Sequence, residues 1–319
     1  MSLQFVADVG GTNIRLAQVV DGELAHIKKY LCNDFATIGE AIQAYFGEFP
    51  GQTFRAGCIA IACPVDQDLI KMTNHHWQFS KSQLREELGL EALPVINDYT
   101  AIAMSLPKLT EEHKAKIGGG EVVPDAPIAV FGPGTGLGVG HLLKTDSGWL
   151  CADGEGGHVD FAPNDEQELV IWRFLRDKYG HASAEEVLSG RGIVQIYQAL
   201  AEHRGDFADL TDPADITERA VQNRCPLCVA TLEQFCKVMG SFGGNLALNL
   251  GTHGGVYIAG GIAPRFVEFV KNSEFRQRFE AKGRFANYVS AIPTFIITEP
   301  EHGLIGTAAY LEQHTGVKQ

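Results

Sequence analysis

Two segments of this chain share one plan, and that plan limits what it can fold into. Residues 3–9 (LQFVADV) form a β-rich run, Gly10-Gly11-Thr12-Asn13 interrupts it, and Ile14 to Val20 resumes a strand pattern. Pro127 to Phe131, the turn Gly132-Pro133-Gly134-Thr135-Gly136 and Leu137 to Leu143 repeat the plan, with the Gly-Thr pairs offset by 123 residues. A third cluster, Gly254 to Ile262, ends a strand in the pair Gly260-Gly261 ahead of a helix expected at Pro264. One glycine turn between strands is as readily a plain hairpin as anything else. Two similar units and a third glycine pair make the plain reading the weaker one.

The chemistry these loops suit is phosphate binding. Glycines let successive backbone N–H groups approach an anion, and a Thr or Asn side chain adds donors. Two such hairpins from two halves of a chain can clamp one polyphosphate. Asp8, at the end of the first strand, can hold Mg²⁺ directly or through water. Other phosphate-binding plans fit less well. No Gly-Lys dipeptide occurs, which excludes a Walker A loop, and residues 132–140 miss the G-x-G-x-x-G spacing and run on into a strand. Glycine is also over-represented, 36 of 319 residues where roughly 7% is average. Lys+Arg 26 against Asp+Glu 39 gives a net charge of −13, which disfavours nucleic acid and anionic membrane as partners. The negative charge of a polyphosphate is therefore expected to be met by loop N–H groups and Mg²⁺, not by a basic surface.

A second set of residues suits a polyhydroxyl ligand. Pro94 to Met104 reads as a short buried strand carrying Asn97 and Asp98 at its end, followed by a helix. Taken alone, Asp98 is more readily a helix N-cap than a base. Asp153 to His158 reads as a flexible loop presenting Glu155 and His158, with a polar surface turn as the bland alternative. Ser183 to Gly190 reads as a helix first turn with Ser183 as N-cap, where Glu185 could simply complement the helix dipole. Together Asn97, Asp98, Glu155, His158 and Glu185 offer acceptors and donors to hydroxyl groups.

With those residues in view, the chain resembles the bacterial glucokinases (proteobacterial type) of the hexokinase/actin-like ATPase superfamily. The resemblance rests on ADVGGTNIRLA (7–17), GCIAIACPV (57–65), MTNHHWQFS (72–80), INDYTAIAM (96–104), FGPGTGLGVGHL (131–142), GEGGHVDFAP (154–163), SAEEVLSG (183–190), GSFGGNLALNLGT (240–252) and GGVYIAGGIAPRF (254–266), in order over nearly the whole chain. It implies a two-domain α/β actin-like ATPase (ribonuclease-H-like) fold with an inter-domain cleft, and MgATP-dependent phosphorylation of glucose. It implies that Asp8, Gly10, Gly11, Thr12 and Asn13 form the first phosphate loop, Gly134, Thr135 and Gly136 the second, and Gly260 and Gly261 the adenosine segment. It implies Asp98 as catalytic base, with Asn97, Glu155, His158 and Glu185 on the sugar and Asn74 near it. A homodimer is implied in the same way. Two departures stand out. The cysteine-rich zinc motif of the related ROK sugar kinases is missing, with no cysteine between Val159 and Cys225. Pro133 also removes one N–H donor from the second loop.

The expected organisation is a small α/β domain of residues 1–108 plus 299–319 and a large α/β domain of 109–298. The polar, Gly- and Pro-bearing stretch Leu109–Pro127 serves as crossover, and the resemblance sends a C-terminal helix back onto the first domain. Cys225-Pro226-Leu227-Cys228 opens a long apolar helix running to Leu250; its cysteines read as core side chains, since one C-x-x-C without a second pair is a weak zinc or redox signal. Gly240, Gly243 and Gly244 are expected to let that helix pack closely. His75-His76 reads as a loop element. Seven sparse cysteines, no apolar run near ~18 residues and no basic leader suggest reduced thiols and a cytoplasmic location. Two other classes fit less well. A sugar-responsive DNA-binding regulator would need a segment before the first strand, and an actin-like assembly ATPase leaves the Asn97-Asp98, Glu155, His158 and Glu185 set unexplained.

Overall fold

A computed structural model describes residues 3–315. The chain divides into two compact units: Met1–Thr110 with Thr145–Cys151 and Glu299–Gln319, and Glu111–Lys144 with Ala152–Thr298. The segment 145–151, expected in the second unit, thus belongs to the first, where the Gln313 side chain accepts from the Trp149 N–H (2.8 Å) and donates to its carbonyl (2.8 Å).

The first unit contains β1 (Leu3–Val9), β2 (Asn13–Val20), β3 (Glu23–Leu31), α1 (Ile38–Gly47), β4 (Phe54–Ile61), β5 (Leu69–Lys71), β6 (Gln78–Ser80), α2 (Lys81–Glu87), β7 (Val95–Asn97) and α3 (Asp98–Ser105). Its sheet runs β3-β2-β1-β4-β7, with β1 antiparallel to β2 and parallel to β4, and β4 parallel to β7. Both faces of this sheet are covered, so β1 reads as a nearly continuous apolar run and not as an alternation. Phe5, Ala7 and Val9 pack with Ile38, Ile42 and Tyr45 of α1. Val6 lies in the opposite cluster with Ala17, Ala60 and Ile96, beneath Leu304 and Leu311 of the C-terminal helix (His302–Thr315). A Cβ on Gly306 would lie 1.6 Å from the Ala101 carbonyl oxygen, so only glycine lets this helix cross α3 so closely.

The second unit has β8 (Lys114–Gly118), β9 (Ile128–Pro133), β10 (Leu137–Thr145, its last residue counted with the first unit), the end of β11 (Gly148–Gly154, whose residues 148–151 belong to the first unit), α4 (Glu166–Tyr179), α5 (Gly190–Arg204), α6 (Pro213–Val221), α7 (Pro226–Leu250), β12 (Val256–Ile258), α8 (Val267–Asn272), α9 (Phe275–Glu280) and β13 (Thr294–Ile297). Its sheet order is β11-β10-β9-β12-β13-β8. The first five strands repeat the first unit's arrangement: a strand–loop–strand hairpin opens the sheet, and the hairpin's first strand pairs parallel with the next. The repeated Gly-Thr pairs are therefore equivalent loops of two like sheets.

Several expectations are corrected locally. The crossover stretch Leu109–Pro127 contains β8, an edge strand antiparallel to β13. Gly132 and Pro133 continue β9 and are not part of the turn. The helix expected at Pro264 is present, opening as a 3₁₀ turn (Ala263–Phe266) that runs on into α8. Helix α7 begins as expected, with Cys225 as N-cap: its sulfur accepts from the Cys228 N–H at 3.5 Å, and both thiols are free. Gly240 and Gly244 press α7 against the α9 segment, where added Cβ atoms would meet the Phe275 and Phe279 carbonyls at 2.1 and 2.4 Å. His75 and His76 lie in a loop, His75 paired with Asn33 at 3.1 Å. No helix among the described residues is long and apolar enough to cross a membrane.

Candidate functional site

In the first unit, Asp8 is the penultimate residue of β1 and the loop 10–13 follows. The Gly10 N–H is spent inside the loop, on the Asn13 carbonyl at 2.9 Å, and the Thr12 carbonyl accepts from Cys32 N–H. The N–H groups of Gly11 and Thr12 have no partner among the described residues. Asn74 packs on this loop; a Cβ on Gly11 would stand 3.0 Å from the Asn74 Cβ. At the end of β7, it is Asn97 and not Asp98 that caps α3, its Oδ1 accepting from Tyr99 N–H at 2.8 Å. Asp98 occupies the first helical position, where the Tyr99 N–H, its own N–H and the Asn97 side chain partly offset the upward push on its carboxyl.

Asp8 and Asp98 are electrostatically coupled. Burial pushes the Asp98 carboxyl up, and the neighbouring Asp8 charge adds to it, bringing its pKa to about 6. Burial also raises the Asp8 carboxyl, which Arg15, 3.6 Å away, and His302 partly offset. Gly303 gives Asp8 room, since a Cβ there would lie 3.0 Å from Asp8 Oδ2. Carboxylate oxygens beside a loop with free N–H groups form a hard donor set suited to a divalent cation carried by phosphate. Among the described residues no cluster of three or more metal-ligating side chains exists, so such a cation would take most of its ligands from phosphate and water.

The second unit repeats the loop's economy. Gly134 N–H is spent on the Gly136 carbonyl at 2.8 Å, while Thr135 and Gly136 keep their N–H groups unpartnered among the described residues. Gly260 (φ +83°) is indispensable: a Cβ would stand 2.4 Å from the Pro133 carbonyl oxygen. This close approach brings the second and third glycine segments together. Gly134, Thr135 and Gly261 line one cavity of about 780 Å³, walled by Ile193, Val194, Pro213, Ala214, Ile262 and Phe266.

Glu185 sits in a turn and not in a helix. Ser183 is held in an isolated bridge to Asp160, and the cap of α5 is Ser189, whose Oγ accepts from Gly192 N–H at 3.1 Å. Glu185 Oε2 accepts from Leu137 N–H at 2.9 Å, which ties it to the second glycine loop. Its own N–H donates to the Gly157 carbonyl at 2.9 Å. Glu155 and His158 flank that glycine, and the segment is not a free loop: β11 runs to Gly154 and a 3₁₀ turn spans Gly156–His158. The side chains of Glu155 and His158 are exposed and bond to nothing else among the described residues. Glu155, His158 and Glu185 are thus brought together in the second unit, and Asp8, the first loop, Asn74, Asn97 and Asp98 in the first.

Two cations were missed. Arg191 and Arg265 both line the cavity. Their signal was in the chain, since each lies within a few residues of a glycine segment or a helix start singled out above.

The glucokinase family model matches residues 5–314. The chain belongs to the glucokinase family. The glucokinase of Photorhabdus laumondii is 52% identical over 312 residues, covering 97% of this chain and 96% of its own length. The crystal structure of a glucokinase from an Antarctic psychrotroph superposes with a TM-score of 0.92 at 34% identity, covering 98% of this chain and 99% of that one. A ROK-family glucokinase of Streptomyces griseus, crystallised with glucose and AMPPNP, shares the fold at a TM-score of 0.63 and 20% identity, covering 98% of this chain and 100% of its own. The α/β architecture with mixed sheets is the actin-like fold of these glucokinases and sugar kinases.

Proposed function

We propose that the chain transfers the γ-phosphoryl group of ATP to the 6-hydroxyl of glucose, with Asp98 as general base. The observation that supports it most directly is the Asp98 carboxyl, part-buried at the first position of α3 and pushed up by burial and the nearby Asp8 charge, in the same unit as a loop with unspent N–H groups. Asp98 takes the hydroxyl proton as the sugar oxygen attacks in line. Gly11, Thr12, Thr135 and Gly136 offer N–H donors to the phosphates, and Asp8 would hold Mg²⁺ brought in with the nucleotide. That ion, when bound, neutralises charge on the transferring group. Asn97, Glu155, His158 and Glu185 accept from or donate to the sugar hydroxyls, with Asn74 beside them. The adenosine moiety lies in the cavity lined by Gly261. A homodimer and a cytoplasmic location complete the reading.

The test is ADP release across a panel of hexoses. Release that requires glucose is expected; equal release without sugar would favour the assembly ATPase. In the same assay Glu155→Gln should raise the KM for glucose roughly tenfold with little change in kcat, about the worth of one charge-assisted hydrogen bond. An unchanged KM would remove Glu155 from the sugar site. The cavity has its own check. Ala214→Trp places an indole against the apolar wall, and calorimetry should show binding of a non-hydrolysable ATP analogue weakened by at least roughly tenfold, with glucose affinity retained.

A further inference from the structure

We infer that Arg191 is a positioning residue that couples nucleotide binding to glucose binding by switching anion partners. The inference rests on the assignment of Glu185 to the sugar and of the cavity to the nucleotide. It begins with the second position of α5, where Arg191 faces two neighbourhoods. Its guanidinium lies 2.6 Å from Glu186 Oε1 and 3.6 Å from Glu185 Oε1. It also lines the cavity beside Gly134 and Thr135. The side chain is half exposed (51%), so it has room to move, whereas Glu185 and Glu186 are largely buried at 19% and 15%.

The two oxygens of Glu185 have different tasks. Oε2 is fixed by Leu137 N–H at 2.9 Å, directly after the loop that carries the free Thr135 and Gly136 N–H groups. Oε1 has Arg191 as its neighbour. Phosphate oxygens arriving at Thr135 compete for the guanidinium, because Arg matches phosphate at least as well as carboxylate. Drawing Arg191 to the phosphates releases Glu185 Oε1 for a sugar hydroxyl without disturbing Oε2. Glu186 is not stranded by the move, since its carboxylate keeps Gln195 Nε2 at 2.7 Å. Nucleotide and sugar therefore help each other bind, and linkage makes the effect equal in both directions.

The experiment is calorimetric titration of glucose with and without a non-hydrolysable ATP analogue and Mg²⁺. In the parent protein the analogue should tighten glucose binding at least ~5-fold, the lower end of typical coupling. In Arg191→Ala that factor should fall to within ~2-fold of unity, with nucleotide-free glucose affinity no weaker than the parent's. Arg191→Lys keeps the charge and should retain at least ~3-fold coupling, which a purely structural role of the side chain would not give. Full coupling in Arg191→Ala, no coupling in the parent, or Lys behaving like Ala overturns the inference. Glu185→Gln separates the two levels. If it leaves glucose binding unchanged, the sugar assignment itself fails; if it weakens glucose while Arg191→Ala keeps full coupling, only the role of Arg191 fails.

Discussion

Asp98→Asn is expected to lower kcat at least ~10²-fold, the usual scale for losing a general base, while leaving the fold intact. The substitution is close to isosteric. It leaves the helix cap alone, because the cap of α3 is Asn97. Asp98→Ala should cost at least as much. The pH profile carries an independent signature. Burial and the Asp8 charge bring the Asp98 pKa to about 6, and only the ionised form accepts a proton. For the parent, kcat/KM for glucose should rise with pH through about 6 and level off above 7. In Asp98→Asn the residual rate should lose that limb. Turnover near that of the parent, or an unaltered limb, would sink the assignment.

The position of Asp98 shows how far the chain could be read. Asn97-Asp98 at a strand end was visible, but the cap was read on Asp98, although Asn caps as readily. What the one-dimensional pattern could not decide was which of them caps, since that depends on where β7 stops and α3 starts. The same uncertainty shifted the α5 cap by six residues, from Ser183 to Ser189, and turned Glu185 from a helical residue into a turn residue. The glycine loops were legible as loops. Which N–H groups they leave free was not, because Gly10 and Gly134 each close their own loop through a backbone bond. The edge strand β8 hid in a polar stretch because an edge strand with one partner needs no apolar run. Arg191 and Arg265 were passed over for a different reason. A net charge of −13 argued against a basic surface, but total charge says nothing about two arginines gathered at one cavity.

The largest expected stability effect lies away from all of these loops. Glu168 is fully buried in the first turn of α4, and its carboxylate accepts from Asn164 N–H at 2.5 Å, Gln234 Nε2 at 2.9 Å and Arg278 Nη2 at 2.6 Å. It therefore joins α4 to α7 and α9, with Asp165 as the α4 cap also reaching Arg278 at 3.2 Å. Burial pushes the Glu168 carboxyl up, opposed by the Asn164 N–H and Arg278, so the charge is held at a cost and only because its partners are in place. Glu168→Ala removes the acceptor and leaves the Gln234 amide and one side of the 12%-exposed Arg278 without it. The expected loss is about 3–5 kcal/mol, the range for breaking a buried pair from one side. Replacing both partners, Glu168→Met with Arg278→Met, should recover at least ~2 kcal/mol of that loss, because no charge is then left buried alone. Asp165 retains Lys237 at 3.7 Å in the double variant. Urea unfolding followed by hydrogen exchange in α4, α7 and α9 measures both, and it reads the second unit separately from the first. A single variant as stable as the parent, or a double variant less stable than the single, would show that this network does not hold the three helices together.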